Sequence, residues 1–272
     1  MRKNTMASRY CRFASRYWRM AGVAVWAEVE DIGCAVKPDG SVHYYHPLML
    51  VLALDTTTRA GSCALSRDGT VVLERSSATA EHASRLPTDL MTLLDASGLP
   101  LDSVDVFAVA TGPGSFTGLR IGIATMQGLA FAGGKPLIGV SSFDALAARA
   151  GAGRVATWID AWRGEVYAAL YDGGRIVRAP IVARPADVLA DLTGAPTLFI
   201  GDGASTYRTL IEASLDGEAT IADPVVPLLA GTIAVIATQA ARRGEAPPPH
   251  AIRPLYVRRT DAELVRDARA AR

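Results

Sequence analysis

Cysteine is scarce: Cys11, Cys34 and Cys63 are widely spaced and odd in number. They form neither a zinc motif nor a disulfide framework, a usage that favours a reducing compartment. Histidine is scarcer still in the body of the chain. Beyond Leu48 only His82 and His250 remain, and Leu86 stands one helical turn after His82. The sequence therefore offers neither a His-x-x-x-His pair nor a third imidazole for a zinc site. Formal net charge is only +1, so the whole chain has no basic field of the kind that by itself indicates nucleic-acid binding. No apolar run reaches the roughly 18 residues of a membrane span. Ser115 lacks the Gly-x-Ser-x-Gly elbow and an accompanying base, which argues against a serine nucleophile.

What is present is an ordinary globular composition, 50% hydrophobic and 20% charged over 272 residues, enough for one large or two modest domains. The first 48 residues differ from the rest. Arg2, Lys3, Arg9, Arg12, Arg16 and Arg19 precede any acid, and no apolar core of a secretory signal accompanies them. Residues 1–48 are read as an N-terminal extension, disordered or translated ahead of a natural start at Met49, where a strand begins at once.

From Met49 the chain describes one design twice. LVLALDTTTRAGSCALSRDGTVVLERS reads as three short strands with Asp55 closing the first, and VATWIDAWRGEVYAALYDGGRIVRAP repeats it with Asp160 in the same place. The offset is 105 residues for the aspartates (160 − 55) and for Ala64 and Ala169 (169 − 64). The Asp68-Gly69 and Asp172-Gly173 turns fall one residue out of register. Alternating helices and strands follow each hairpin: helix 81–96, strand 104–110, a glycine-rich helix, strand 136–140 and helix 142–150 in the first copy. The second has helix 185–192, strand 197–200, helix 204–213 and helix 228–242. Antiparallel strands feeding α/β crossovers, done twice, predict an α/β protein with two lobes, 49–151 and 152–272, each a mixed sheet flanked by helices. Trp158, Trp162, Tyr167 and Tyr171 are expected to pack in core and cleft.

Residues 111–128, TGPGSFTGLRIGIATMQG, carry five glycines and four hydroxyls through a strand-to-helix transition. Gly112-Pro113-Gly114 reads as a tight turn and Ser115 or Thr117 as the N-cap. A mid-helix glycine costs about 1 kcal/mol relative to alanine, so Gly118/Gly122 and Ala124/Gly128/Ala132 suggest close approach on two sides, one to its own sheet and one to a partner. A glycine-rich loop opening a helix also suits an anion. The Walker A lysine is missing, however, and Thr117 stands where a dinucleotide fingerprint needs its third glycine. Asp55, Thr56 and Thr57, the Gly112–Ser115 turn, and Gly201 and Gly203 flanking Asp202 are the candidate phosphate or nucleotide groups. For each the structural reading, a turn or cap, stands beside the functional one.

LALDTTTRAGSCAL, TGPGSFTGLRIGIATMQGLA, IGVSSFDALA, DAWRGEVYAALY and RPLYVRR, in order over about 49–259, resemble the bacterial TsaB (YeaZ) family. This is the accessory subunit of the machinery that makes threonylcarbamoyladenosine beside the anticodon of tRNAs decoding ANN codons. The resemblance implies an actin-like, two-lobed fold and a non-catalytic scaffold that binds and activates a TsaD-like catalytic subunit. A TsaE-like ATPase would join, tRNA would be met through the complex, and the free chain would be a monomer or homodimer. It implies docking through the first two helices of the first lobe: His82, Leu86, Leu90 and Leu93 on one, and Gly118, Arg120, Gly122, Met126, Gly128 and Leu129 on the other. No catalytic residue, no metal site and no tightly bound cofactor are expected, ATP and a metal ion belonging to the partners. The location expected is the cytoplasm, off the membrane. The competing readings are a glycoprotease-like metallopeptidase, against which the missing ligands speak, and an independent ATPase of the actin and sugar kinase class.

Overall fold

The computed structural model describes residues 28–29, 34–36, 42–44, 48–58, 61–76, 82–192 and 194–257, with backbone alone for those up to 44 and for 82–85. The chain divides into two units, Met1–Met49 and Leu50–Arg272. In the first, β1 (Glu28–Val29), β2 (Cys34–Val36) and β3 (Val42–Tyr44) form a short antiparallel meander. The basic stretch that opens the chain lies outside the described residues.

The second unit holds the repeat. Its first sheet comprises β4 (Leu50–Asp55), β5 (Ser62–Arg67), β6 (Thr70–Ser76), β7 (Val106–Gly112) and β8 (Leu137–Ser141), in the order β6-β5-β4-β7-β8. Helices α1 (His82–Ser97), α2 (Phe116–Gly133) and α3 (Ser142–Ala150) are its crossovers. The second sheet comprises β9 (Arg154–Asp160), β10 (Val166–Asp172), β11 (Arg175–Ala183), β12 (Thr197–Ile200) and β13 (Ala219–Ile221), in the order β11-β10-β9-β12-β13. Its helices are α4 (Pro185–Ala190), α5 (Asp202–Thr206) and α6 (Arg208–Ser214), followed by α7 (Ala230–Arg242). In both sheets the hairpin strands pair antiparallel and the last two strands run parallel to the first. This is the duplicated mixed sheet of the actin-like fold.

Two local expectations are corrected. The second hairpin turns at Gly173-Gly174, both at positive φ like Asp68-Gly69, and not at Asp172-Gly173, because Asp172 still pairs with Arg175 inside the strand. The 105-residue offset thus holds at the turn as well. Helix 204–213 is two helices broken at Tyr207, whose φ of −107° leaves the helical range while its ring packs against the core. Strand β13 was not legible at all, being three residues long.

On one face of the first sheet, Leu50, Leu52, Leu54, Phe107 and Val109 pack beneath Leu86, Leu90, Leu93 and Leu94 of α1 and Ile123, Met126 and Ala130 of α2. Alternation turns Ala53, Ala108 and Ala110 to the opposite face. There α7 packs across all five strands. Small residues on the sheet meet Ala230, Ala234 and Ala237 on the helix, all buried. Although α7 follows the second sheet in sequence, it packs on the first. Its amino end is held by that sheet: Ser62 Oγ accepts from Leu229 N and Ala230 N at 3.3 and 3.0 Å, and Glu74 Oε1 from Gly231 N at 2.7 Å. Arg242 pairs with Asp68 near the other end. The second core centres on Trp158 and Phe199, edge to face at 5.4 Å, beneath α4, α5 and α6. Helix α3 bridges the sheets, and Tyr171 donates to Asp144 Oδ1 across the bridge at 2.6 Å.

Beyond α7 the chain returns to the first lobe. Ile252 enters its core, Gln127 Nε2 donates to the carbonyls of Pro249 and Ile252, and Leu255 N donates to Thr111 O at 2.7 Å. Arg258 and Arg259 lie outside the described residues.

Candidate functional site

The two copies bring equivalent strand ends together. Asp55 closes β4 and Asp160 closes β9, and the glycine turns after β7 and β12 sit beside them. Asp55 is buried. Its Oδ1 accepts from Thr57 N at 2.8 Å and Thr57 Oγ1 at 2.6 Å, and Thr58 Oγ1 reaches Oδ2 at 3.4 Å. Burial pushes its carboxyl above the usual range, against these donors, and the charge of Asp202 from the other lobe pushes the same way. Asp202 is also raised, by burial first and then by Asp160, although Asp160 N donates to it at 3.0 Å. Asp160 Oδ1 in turn accepts from Trp162 N at 2.9 Å. Three carboxylates thus converge, held by their own backbone and hydroxyl neighbours. Among the described residues no group of three His, Cys, Asp or Glu is placed to hold a metal ion.

The glycines are packing elements. Ser115 N donates to Thr57 O at 2.9 Å, and a Cβ on Gly114 would stand 2.6 Å from Thr57. Thr56 Oγ1 donates to Gly118 O at 2.8 Å, and side chains on Gly118 or Gly122 would collide with Thr56. Gly112, at φ +98°, admits Leu119 and the Leu255 carbonyl. Gly201, at φ +115°, and Gly203 do the same service in the second lobe, lying against the backbone of Trp158 to Asp160. Ser115 is the N-cap of α2, accepting from Gly118 N at 3.2 Å. Of the groups singled out for phosphate, Asp55, Thr56, Thr57, Gly114 and Ser115 do come together, Asp55 bonding Thr57, Thr57 bonding Ser115, and Thr56 and Ser115 bonding Gly118.

The predicted docking set divides sharply. Leu86, Leu90, Leu93 and Met126 are at most 1% exposed and form the core under the first sheet. Gly118 and Gly122 face Thr56. These six are corrected from interface to interior: the amphipathic stripe that marks a helix face marks the one that its own sheet buries. Arg120 and Gly128 are exposed, Leu129 is half-buried, and the side chain of His82, the first residue of α1, lies outside the described ones. A Cβ on Gly128 would meet nothing within 4 Å. The outer face of α2 is therefore Thr117, Arg120, Ala124, Gly128 and Phe131, with Met91 of α1 also exposed; Phe131 is 85% exposed. Phe131 and Met91 were missed because single apolar residues off the periodic stripe carry no signal. Trp162, expected in core and cleft, is 56% exposed in the turn between β9 and β10, where Trp162 and Arg163 both have positive φ.

The family model for TsaD, tRNA N6-adenosine threonylcarbamoyltransferase, matches residues 72–264. The tRNA threonylcarbamoyladenosine biosynthesis protein TsaB of Escherichia coli K12 is 45% identical over 127 residues, 45% of this chain and 55% of that protein. The match thus spans about half the length of that relative. The protein of the same name from Haemophilus influenzae is 34% identical over 62% of this chain and 78% of its own. The solved structure of YeaZ from Pseudomonas aeruginosa superposes with a TM-score of 0.65 at 35% identity, over 77% of this chain and all of that one. The duplicated sheets, the glycine turns fitted to their own hairpins and these matches together place the chain in the TsaB (YeaZ) family.

Proposed function

We propose that the chain is a non-catalytic scaffold subunit of the complex that transfers a threonylcarbamoyl group to N6 of the adenosine beside the anticodon of ANN-decoding tRNAs. It acts by docking on a TsaD-like catalytic subunit, with a TsaE-like ATPase completing the assembly and ATP and metal belonging to those partners. The observation that carries this reading is the unfilled side of α2. Its Gly118/Gly122 stripe is occupied by Thr56, whereas Ala124 and Gly128 lie open between Arg120 and Phe131. Small residues flanked by large exposed ones suit a second helix approaching closely. The metallopeptidase reading loses further ground, because Leu86, one turn from His82, is buried in the core. An independent ATPase would use the α2 amino end for phosphate, yet Ser115 N is engaged by the Thr57 carbonyl and Gly118 N by Ser115 Oγ.

Reconstitution tests the proposal. The full chain is combined with TsaD-like and TsaE-like proteins, tRNA, ATP and threonylcarbamoyl-adenylate, and modified adenosine is scored with each protein omitted in turn. Modification that requires this chain, itself inert alone and without measurable ATP binding by calorimetry, is the expected result. Modification indifferent to its presence overturns the scaffold role.

A further inference from the structure

At the amino end of α2 the returning C-terminal segment builds a second surface feature. The guanidinium carbon of Arg120 lies 4.0 Å over the Phe116 ring, its Nε donates to Tyr256 Oη at 3.3 Å, and the Phe116 and Tyr256 rings stand 5.7 Å apart at 33°. Yet the rings remain open: Phe116 is 48% exposed and Tyr256 44%. Exposed aromatic faces are costly to leave in water, and these are held rigid. Leu255 N is bonded to Thr111 O just beside them, and Ile252 is anchored in the core. The Nη donors of Arg120 make no hydrogen bond to any described residue, so the fork is presented outward while its plane is fixed.

The two segments that build the cluster carry charge of one sign. Helix α2 contains no acidic residue and one basic one, Arg120, and the segment 246–257 contains no acid and one arginine, Arg253. This local character is invisible in a net charge of +1. Asp55 is buried and Asp160 and Asp202 are half-buried, whereas Arg120 is exposed. Two half-exposed rings, with a flat cation over one face of Phe116 and bonded to the hydroxyl of Tyr256, match a strand whose bases are free to stack and whose phosphates accept a guanidinium. A duplex, with its bases already stacked, gains nothing from the rings.

We infer that Phe116, Arg120 and Tyr256 form a stacking platform for single-stranded RNA, so that this chain itself touches the nucleic acid. The choice of RNA rests on the function proposed above; the platform rests on the geometry. It shares Arg120 with the rim of the small-residue opening of α2, whose Gly128 lies about 18 Å of helical rise beyond Phe116.

The test uses the full chain alone and fluorescence anisotropy with a short single-stranded oligoribonucleotide at low salt. Its comparators are the same backbone with abasic sites and the corresponding duplex. Binding of the intact strand is expected to weaken roughly five- to a hundredfold in Phe116→Ala or Tyr256→Ala. Arg120→Ala is expected to lower the slope of log affinity against log salt by about one. The abasic strand and the duplex are expected to bind no better than the weakened variants. No binding of the single strand, equal binding of intact and abasic strands, or variants that bind like the parent each overturns the platform. So do variants that leave RNA binding alone and abolish association with the TsaD-like subunit, which would give the cluster to the protein interface. Because the readout uses no partner and no modification chemistry, it fails or succeeds independently of the reconstitution.

Discussion

Thr56 stands against Gly118 and Gly122 at once: its hydroxyl donates to the Gly118 carbonyl at 2.8 Å, and its side chain fills the space that a Cβ on Gly122 would need. The two glycine-containing stripes of α2 are therefore separable by mutation. Gly122→Ala forces Thr56 to move and is expected to destabilise by about 1–3 kcal/mol, the ordinary cost of overpacking, with Gly122→Leu failing to fold. Gly128→Leu meets open space and removes a mid-helix glycine, so it is expected to keep or gain about 1 kcal/mol while abolishing association with a TsaD-like partner. Thermal melts and size-exclusion profiles read both effects. A Gly128→Leu protein that still forms the complex would remove the α2 face from the interface.

The last helix depends on acceptors from the first sheet. Ser62→Ala leaves the N–H groups of Leu229 and Ala230 without their acceptor in a buried setting, which costs about 1–3 kcal/mol. Glu74→Ala removes a carboxylate from a helix amino end at half-buried depth, for about 1 kcal/mol. Urea melts should show both losses in the midpoint. Hydrogen exchange should show them first in Ala230–Arg242; protection lost elsewhere and retained in α7 would contradict this assignment.

Asp55 gives a pH dependence with a definite sign. Its folded-state pKa lies above the ordinary value, from burial first, so the folded protein holds the proton more tightly than the unfolded chain. That contribution is full below the ordinary carboxylate range and fades as pH rises through the raised value. Asp202 acts in the same sense. Asp55→Asn retains an acceptor for Thr57 and cannot ionise. From about pH 4 towards neutrality the parent should therefore lose Tm relative to this variant. Parallel Tm profiles for the two proteins would refute the buried-carboxylate account.

The repeat was legible because it is written in local chemistry: Asp55 and Asp160 at strand ends, alternation in the hairpins, glycines at turns. Even the misplaced Asp172-Gly173 turn was off by a single residue, since two adjacent glycines offer two places to turn. What α2 does with its glycines was half legible. Their spacing announced two close approaches, but only the position of Thr56, far away in sequence, tells which stripe is interior. The same holds for Leu86, Leu90 and Leu93, where periodicity reports that a face is buried and not by what. The Arg120–Tyr256 contact and the clamp of Ser62 and Glu74 on α7 join residues 136 to 168 positions apart, and no local pattern encodes them.

The placement of α7 and Ile252 also bears on how the chain is born. Strands β4, β5 and β7 leave the ribosome early with one face covered by α1 and α2, and the alanine-lined face waits for a helix made more than a hundred residues later. During synthesis that face is an unsatisfied apolar surface, of the kind that invites chaperones or aggregation. A fragment ending after α3 would carry the same exposed face permanently, so halving this chain between its sheets yields two incomplete solids and not two domains.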